Sequence, residues 1–179
     1  MKSEEAQLIE ACIRRDERAC RQLYERFAPK MYGICLRYTH STAAAEDVLH
    51  DGFIKVFENL GKLRATDALG SWICKIMVYT AINSQRNELP LANCDVVDEV
   101  KNRDYASSDE IYAKIDAEIV VNAMRDLPAS FRMVLNLCEV EGYSIEEVSK
   151  MLKVKNSTVR SALTRAKRML AEKLKSEML

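Results

Sequence analysis

The sequence predicts an all-α protein: two small helical domains joined by a flexible linker, the first a helical bundle and the second a helix-turn-helix. Three observations predict it. Glycine and proline are scarce, 5 and 3 among 179 residues, while the good helix formers Ala, Leu, Glu, Lys and Arg are common. Apolar residues recur at three- and four-residue spacings through both ends of the chain. Between those ends, residues 88–110 lose the period and collect acids.

The elements follow in order. Residues 4–13 place Leu8, Ile9, Cys12 and Ile13 on one face, and residues 17–27 do the same with Cys20, Leu23, Tyr24 and Phe27. Pro29 suits the first turn of a third helix carrying Met31, Tyr32, Ile34, Cys35, Leu36 and Tyr38. Ser41 or Thr42 is a candidate N-cap for a fourth helix through about Leu60, with Gly61 as its C-cap. Its apolar set is Val48, Leu49, Phe53, Val56, Phe57 and Leu60. After the polar stretch KLRATDALGS, a fifth helix runs from about Ser71 to Arg86.

The domain boundaries read as 1–87, a linker at 88–110, and 111–179. The linker holds seven acids (Glu88, Asp95, Asp98, Glu99, Asp104, Asp109, Glu110) against Lys101 and Arg103. Extended, its span reaches on the order of 75 Å. In the second domain a helix is expected over 111–126, and another from Pro128 to about Val140. EGY then makes a turn. Ser144 and Glu147 form the S-x-x-E pattern of a capping box at the head of SIEEVSKMLK. VKN is a short turn, and the last helix spans about Ser157 to Lys175.

Total charge is balanced, 27 Lys+Arg against 27 Asp+Glu, but its distribution is not. From Lys150 to Lys175 there are nine cations and one acid, Glu172. On a helix, Val159, Leu163, Ala166 and Leu170 make an apolar seam, Arg160, Thr164 and Lys167 fall beside it, and Ser161, Arg165 and Arg168 face outward. Two short helices, a tight turn and a basic outer face describe a DNA-binding helix-turn-helix. Lys and Arg there suit phosphates, and an Arg near the front of the helix can reach guanine edges.

Other function classes find no support. No apolar run of about 18 residues suggests a membrane span, and the charged first residues lack a signal-peptide core, so a cytoplasmic protein without membrane insertion is expected. The six cysteines are far apart and without C-x-x-C spacing. They read as small buried apolar residues, Cys94 excepted. Neither histidine has ligand spacing around it, so no metal or cofactor is expected. No catalytic motif suggests an enzyme.

The first domain sharpens the reading. AEDVLHDGFIKVFENL (45–60) followed by GSWICKIMVYTAINSQRN (70–87) resembles region 2 of bacterial sigma factors, nearest the extracytoplasmic-function class of the sigma-70 family. LPASFRMVLNLCEVEGYSIEEVSKMLKVKNSTVRSALTRAKRML (127–170) is similar to region 4 of the same proteins. The resemblance implies a dissociable subunit of RNA polymerase that directs transcription initiation. It implies contact with core polymerase through Asp47, Leu49, His50 and Asp51, with Phe53 and Phe57 as core. The resemblance assigns the melted −10 element to a pocket within Arg64–Ser71 (Arg64, Asp67, Ser71) and a strand face of Lys75, Tyr79, Asn83 and Arg86. In the last helix it assigns −35 contacts to Arg160, Ser161, Thr164 and Arg165, and phosphates to Thr158 and Lys167. An anti-sigma factor is an implied partner beside polymerase and promoter DNA.

Several positions depart from the family pattern. His50 replaces a common Gln, Tyr79 an Asn and Asn83 an Asp. Gly52 is poor inside a helix, by up to about 1 kcal/mol against Ala. Ala162 stands at a frequent Arg, which removes a phosphate contact. Lys153 stands at a frequent Gly, costing about 1 kcal/mol if the turn is left-handed. Trp72 reads as a core anchor rather than a base-stacking residue. The alternative is a helix-turn-helix regulator whose first domain dimerises or senses a ligand, and which grips duplex DNA without polymerase.

Overall fold

A computed structural model describes residues 4–63, 68–85 and 117–177. The chain divides into two compact units, Met1–Arg86 and Asn87–Leu179. Among the described residues all regular structure is helical. The linker at 88–110, and the first part of the helix expected over 111–126, lie outside the described residues.

Among the described residues the first unit has four α-helices: α1 (Glu4–Ile13), α2 (Glu17–Tyr38), α3 (Thr42–Asn59) and α4 (Leu69–Ser84). α1 stops in a reversal through Arg15, whose φ of 61° is left-handed. The Asp16 N–H reaches back to the Ala11 carbonyl and the Arg15 N–H to that of Cys12, the double bond of a Schellman ending. Asp16 then caps α2, accepting the Ala19 N–H at 2.9 Å. The two helices expected on either side of Pro29 are one. Pro29 removes a single N–H, and its place inside a helix costs about 3 kcal/mol in isolation. The buried residues Leu23, Ala28, Met31, Ile34, Cys35 and Tyr38 hold one helical phase across it, so packing favours continuity.

Ser41 caps α3, accepting the Ala44 N–H at 3.1 Å. Gly61 is not a left-handed C-cap: the helix tightens into a 3-10 turn over Leu60–Lys62, and Gly142 is the glycine with positive φ among the described residues. α2, α3 and α4 pack mutually. Their core holds Leu23, Met31, Val48, Phe53, Val56, Leu60, Ile73, Met77 and Val78. Gly52 sits at the α3–α4 crossing, where an added Cβ would lie 2.2 Å from the Met77 sulfur. Close approach of the helices explains a glycine that helix propensity disfavours.

The second unit has α5 (Ala117–Arg125), α6 (Ala129–Leu135), α7 (Ile145–Leu152) and α8 (Asn156–Glu177). Arg132 is buried, with its guanidinium donating to the carbonyls of Arg125 (2.6 Å) and Leu127 (3.1 Å) at the end of α5. The helix expected from Pro128 to Val140 is α-helical only to Leu135. From Asn136 to Val140 it widens to π geometry, and the Glu141 N–H bonds the Asn136 carbonyl five residues back. Asn136 also donates from its side chain to the Arg132 carbonyl, which its own backbone N–H already uses. The capping box forms in full: Glu147 N–H donates to Ser144 Oγ, and Ser144 N–H to Glu147 Oε2 at 2.8 Å.

Candidate functional site

α7 and α8 are joined by a three-residue turn, Lys153–Lys155. Lys153 takes φ 58° and ψ 43°, the left-handed conformation for which glycine is better suited. The Lys153 N–H closes α7 onto the Ser149 carbonyl, and the Val154 N–H bonds the same carbonyl at 3.1 Å. This reversal lets α8 leave the turn with its apolar seam against the other helices. Leu163, Ala166 and Leu170 pack with Met124, Leu127 and Leu135, and Val159 is fully buried.

That burial orients the polar residues of α8. Arg160 and Thr164 are exposed, one turn apart, and Thr164 Oγ1 donates to the Arg160 carbonyl at 3.0 Å. Ser161 and Arg165 are half-buried at the side of the same surface. Lys167 is exposed, with its ammonium 2.9 Å from Glu139. Lys150, Lys153 and Lys155 extend the positive surface around the turn. Such an arrangement can meet phosphates and base edges together.

Two expectations about α8 need correction. Thr158 is only 6% exposed, so its side chain faces the interior and not a phosphate. Ala162 has no exposed surface, so it is a core position rather than a vacated phosphate contact. It lies three residues after Val159 and four before Ala166, which puts it on the seam.

In the first unit two outer faces carry the expected residues. Along α3, Asp47, His50 and Asp51 are exposed together. Leu49, grouped with them, is instead a core residue at 7% exposure. The sequence reading missed Ile54, which is 55% exposed on the same stripe. Its signal was available: Ile54 falls outside the apolar set of this helix and three residues after Asp51. Phe53 is buried against Tyr24, ring centroids 4.6 Å apart, and Phe57 is half-buried beside it.

Along α4, Ser71, Lys75, Tyr79 and Asn83 are exposed at four-residue intervals. Tyr79 is 48% exposed, an aromatic face open to solvent beside a cation one turn away. Lys55 of α3 donates to Thr80 Oγ1 at 3.2 Å and brings a second ammonium towards this helix. Trp72, expected as a core anchor, is half-buried. Arg64, Asp67 and Arg86 lie outside the described residues. Among the described residues, no group of three or more His, Cys, Asp or Glu is placed to hold a metal, and no helix is long and apolar enough to cross a membrane.

Comparison with known proteins gives this geometry a family. The pattern described as Sigma-70 region 2 matches residues 23–88, and that described as Sigma-70, region 4 matches residues 117–170. The RNA polymerase sigma-H factor of Pseudomonas aeruginosa is 30% identical over 175 residues, covering 92% of this chain and 90% of that protein. The chain belongs to the extracytoplasmic-function class of the sigma-70 family. The ECF RNA polymerase sigma-E factor of Haemophilus influenzae is 28% identical over 182 residues, covering 96% of this chain and 95% of that sigma factor. Among solved structures, the sigma factor RpoE from Bartonella quintana, in complex with the anti-sigma factor NepR, shares the fold. Its TM-score is 0.51 at 20% identity, over 87% of this chain and 96% of that one. The four helices of the first unit thus include region 2, with α1 and the start of α2 preceding it, and α5–α8 form region 4.

Proposed function

We propose that this sigma factor binds core RNA polymerase through the outer face of α3 and delivers it to promoters through α4 and α8. The observation that carries the DNA reading is the exposure of Arg160 and Thr164 on α8, flanked by cations, while its seam is buried. Lodged in a major groove, Arg160 and Arg165 would address base edges of the −35 element with Ser161 and Thr164. Lys167 would hold a phosphate after releasing Glu139. An exposed pair of this kind is worth at most about 1 kcal/mol, so the exchange is easily made.

On α4, the stripe Ser71–Lys75–Tyr79–Asn83 suits the melted −10 strand, with Tyr79 as a platform for an unstacked base and Lys75 for its phosphate. Arg64, Asp67 and Arg86 belong to the same proposed site. Core polymerase would meet Asp47, His50 and Asp51, with Ile54 as the apolar centre of that patch. The chain itself then performs no chemistry; polymerase does. It works in the bacterial cytoplasm, and an anti-sigma factor is its expected inhibitor. The Bartonella structure, titled as such a complex, supports that expectation by likeness of fold.

Reversing the charge of Asp51 tests the polymerase face. Asp51→Lys should weaken capture by purified bacterial core polymerase at least tenfold, yet leave the affinity of the full chain for −35 duplex unchanged. Equal loss in both assays would remove Asp51 from the polymerase face. The regulator alternative predicts a stable dimer that binds duplex DNA without polymerase.

A further inference from the structure

Two of the six cysteines, Cys12 and Cys20, meet across the α1–α2 hairpin. Cys12 lies in the last turn of α1 and is buried; Cys20 lies in the first turn of α2 and is half-buried. The Cys20 thiol points at Cys12: it donates to the Cys12 carbonyl oxygen, with Sγ 3.9 Å away. The reversal through Arg15 and the Asp16 cap fix this approach, because they set where α1 ends and α2 begins. Both cysteines precede residue 23, where the region 2 match starts. Neither takes part in the promoter or polymerase surfaces proposed above.

We propose that Cys12 and Cys20 are a redox-active pair that closes to an intramolecular disulfide when hydrogen peroxide reaches Cys20. Cys20 is the entry point because it alone of the two is partly open to solvent. In the first step the Cys20 sulfur attacks the peroxide, the O–O bond breaks, and Cys20 becomes a sulfenic acid as one water leaves. In the second, the Cys12 sulfur attacks the Cys20 sulfur, the S–O bond breaks, and the hydroxyl leaves with the Cys12 proton as a second water. Two thiols lose two electrons in total, and the peroxide is reduced to two waters. The sulfurs must close to about 2.05 Å, by rotation of the two side chains across the short turn between α1 and α2.

Burial, then the neighbouring Cys20 sulfur, pushes the Cys12 thiol up to about 12. Cys12 is therefore the resolving partner and not the first to react. A Cys20 sulfenic acid beside a contacting thiol is expected to be captured before further oxidation.

The experiment uses the full reduced chain, treated with stoichiometric hydrogen peroxide, quenched with iodoacetamide and digested with trypsin without reduction. Arg14, Arg15 and Arg18 lie between the two cysteines, so trypsin separates them and a disulfide appears as two joined peptides. The expected result is a Cys12–Cys20 linked pair, loss of two of the six thiols per chain, and full recovery with dithiothreitol. Cys12→Ser should leave Cys20 as a sulfenic acid that dimedone traps. Cys20 found as sulfinic acid with Cys12 still alkylated, a disulfide to any other cysteine, or six unreacted thiols would each overturn the proposal. The wild-type mapping decides it whether or not the variant folds.

Discussion

Replacing Gly52 with alanine sets two effects against each other, and the structure says which wins. Helix propensity alone favours Ala inside α3 by up to about 1 kcal/mol. At the crossing with α4, however, the new methyl carbon would lie 2.2 Å from the Met77 sulfur, 2.9 Å from its terminal methyl and 3.7 Å from Cγ. Met77 has no exposed surface, so its side chain has no solvent to swing into. Overpacking of this kind costs about 1–3 kcal/mol. Net of propensity, Gly52→Ala should destabilise the first unit by up to about 2 kcal/mol. For a unit of this size that lowers the melting midpoint by up to about 16 °C. Trp72, the one tryptophan of the chain, sits on α4 and reports the unfolding of this unit by fluorescence. Gly52→Ala combined with Met77→Ala should show a coupling of about 1 kcal/mol or more, because the shorter side chain removes the clash. A higher melting midpoint for Gly52→Ala alone would refute the reasoning. Propensity would then be the larger effect, and the α3–α4 crossing looser than described.

Three further outcomes are expected. Lys153→Gly relieves a left-handed residue of about 1 kcal/mol, partly offset by unfolded-chain entropy, so the second unit should gain a few tenths of a kcal/mol in chemical denaturation; a loss would mean the Lys153 side chain stabilises the turn. Arg160→Ala should cost about 1–3 kcal/mol of −35 binding and relax the preference at one base position, read from a panel of single-base duplex variants; a uniform loss would make it a phosphate contact. Burial pushes the Cys35 thiol up to about 12. A raised folded value favours the neutral thiol, so its contribution is whole below about pH 9, the ordinary thiol range, and is lost as pH climbs towards 12. The melting midpoint of the first unit, followed by Trp72, should fall with pH in that window, and Cys35→Ala should flatten the slope. An unchanged slope would exclude this thiol as a cause.

Helices governed by a regular apolar period were legible in the sequence, and the places where a second force intervenes were not. The seam of α8 and the capping box at Ser144 followed from spacing and local hydrogen-bond chemistry, both short-range. Pro29 misled because a local helix-starting signal competes with a buried face that runs in phase through it, and the face prevails. The widened turn after Leu135 sits beside a local bond from the Asn136 side chain to the Arg132 carbonyl, and no periodicity reveals either. Helical spacing put Arg160 and Thr164 beside the seam and Ser161 and Arg165 outward, whereas Arg160 and Thr164 are the exposed pair and Ser161 and Arg165 are half-buried, because neighbouring helices cover that flank. The contact roles of Leu49, Thr158 and Ala162 came from family correspondence instead, and in each the burial given by neighbouring helices decides against an exposed role, as the apolar period already indicated for Leu49. Ile54 was visible as an apolar residue off the apolar face. The meeting of Cys12 with Cys20 was not visible, because it depends on the angle at which α2 leaves the Arg15 reversal.

The central claim is that one chain gives core polymerase both of its promoter contacts. Run-off transcription tests it most directly, with purified bacterial core polymerase, this chain and fragments of the source genome, and with start sites mapped. The account predicts discrete new starts that appear only with the chain present, preceded by two shared sequence elements separated by a fixed spacer. It also predicts their loss with Arg160→Ala or Asp51→Lys. No association with core polymerase, together with a dimer that binds duplex DNA alone, would contradict it.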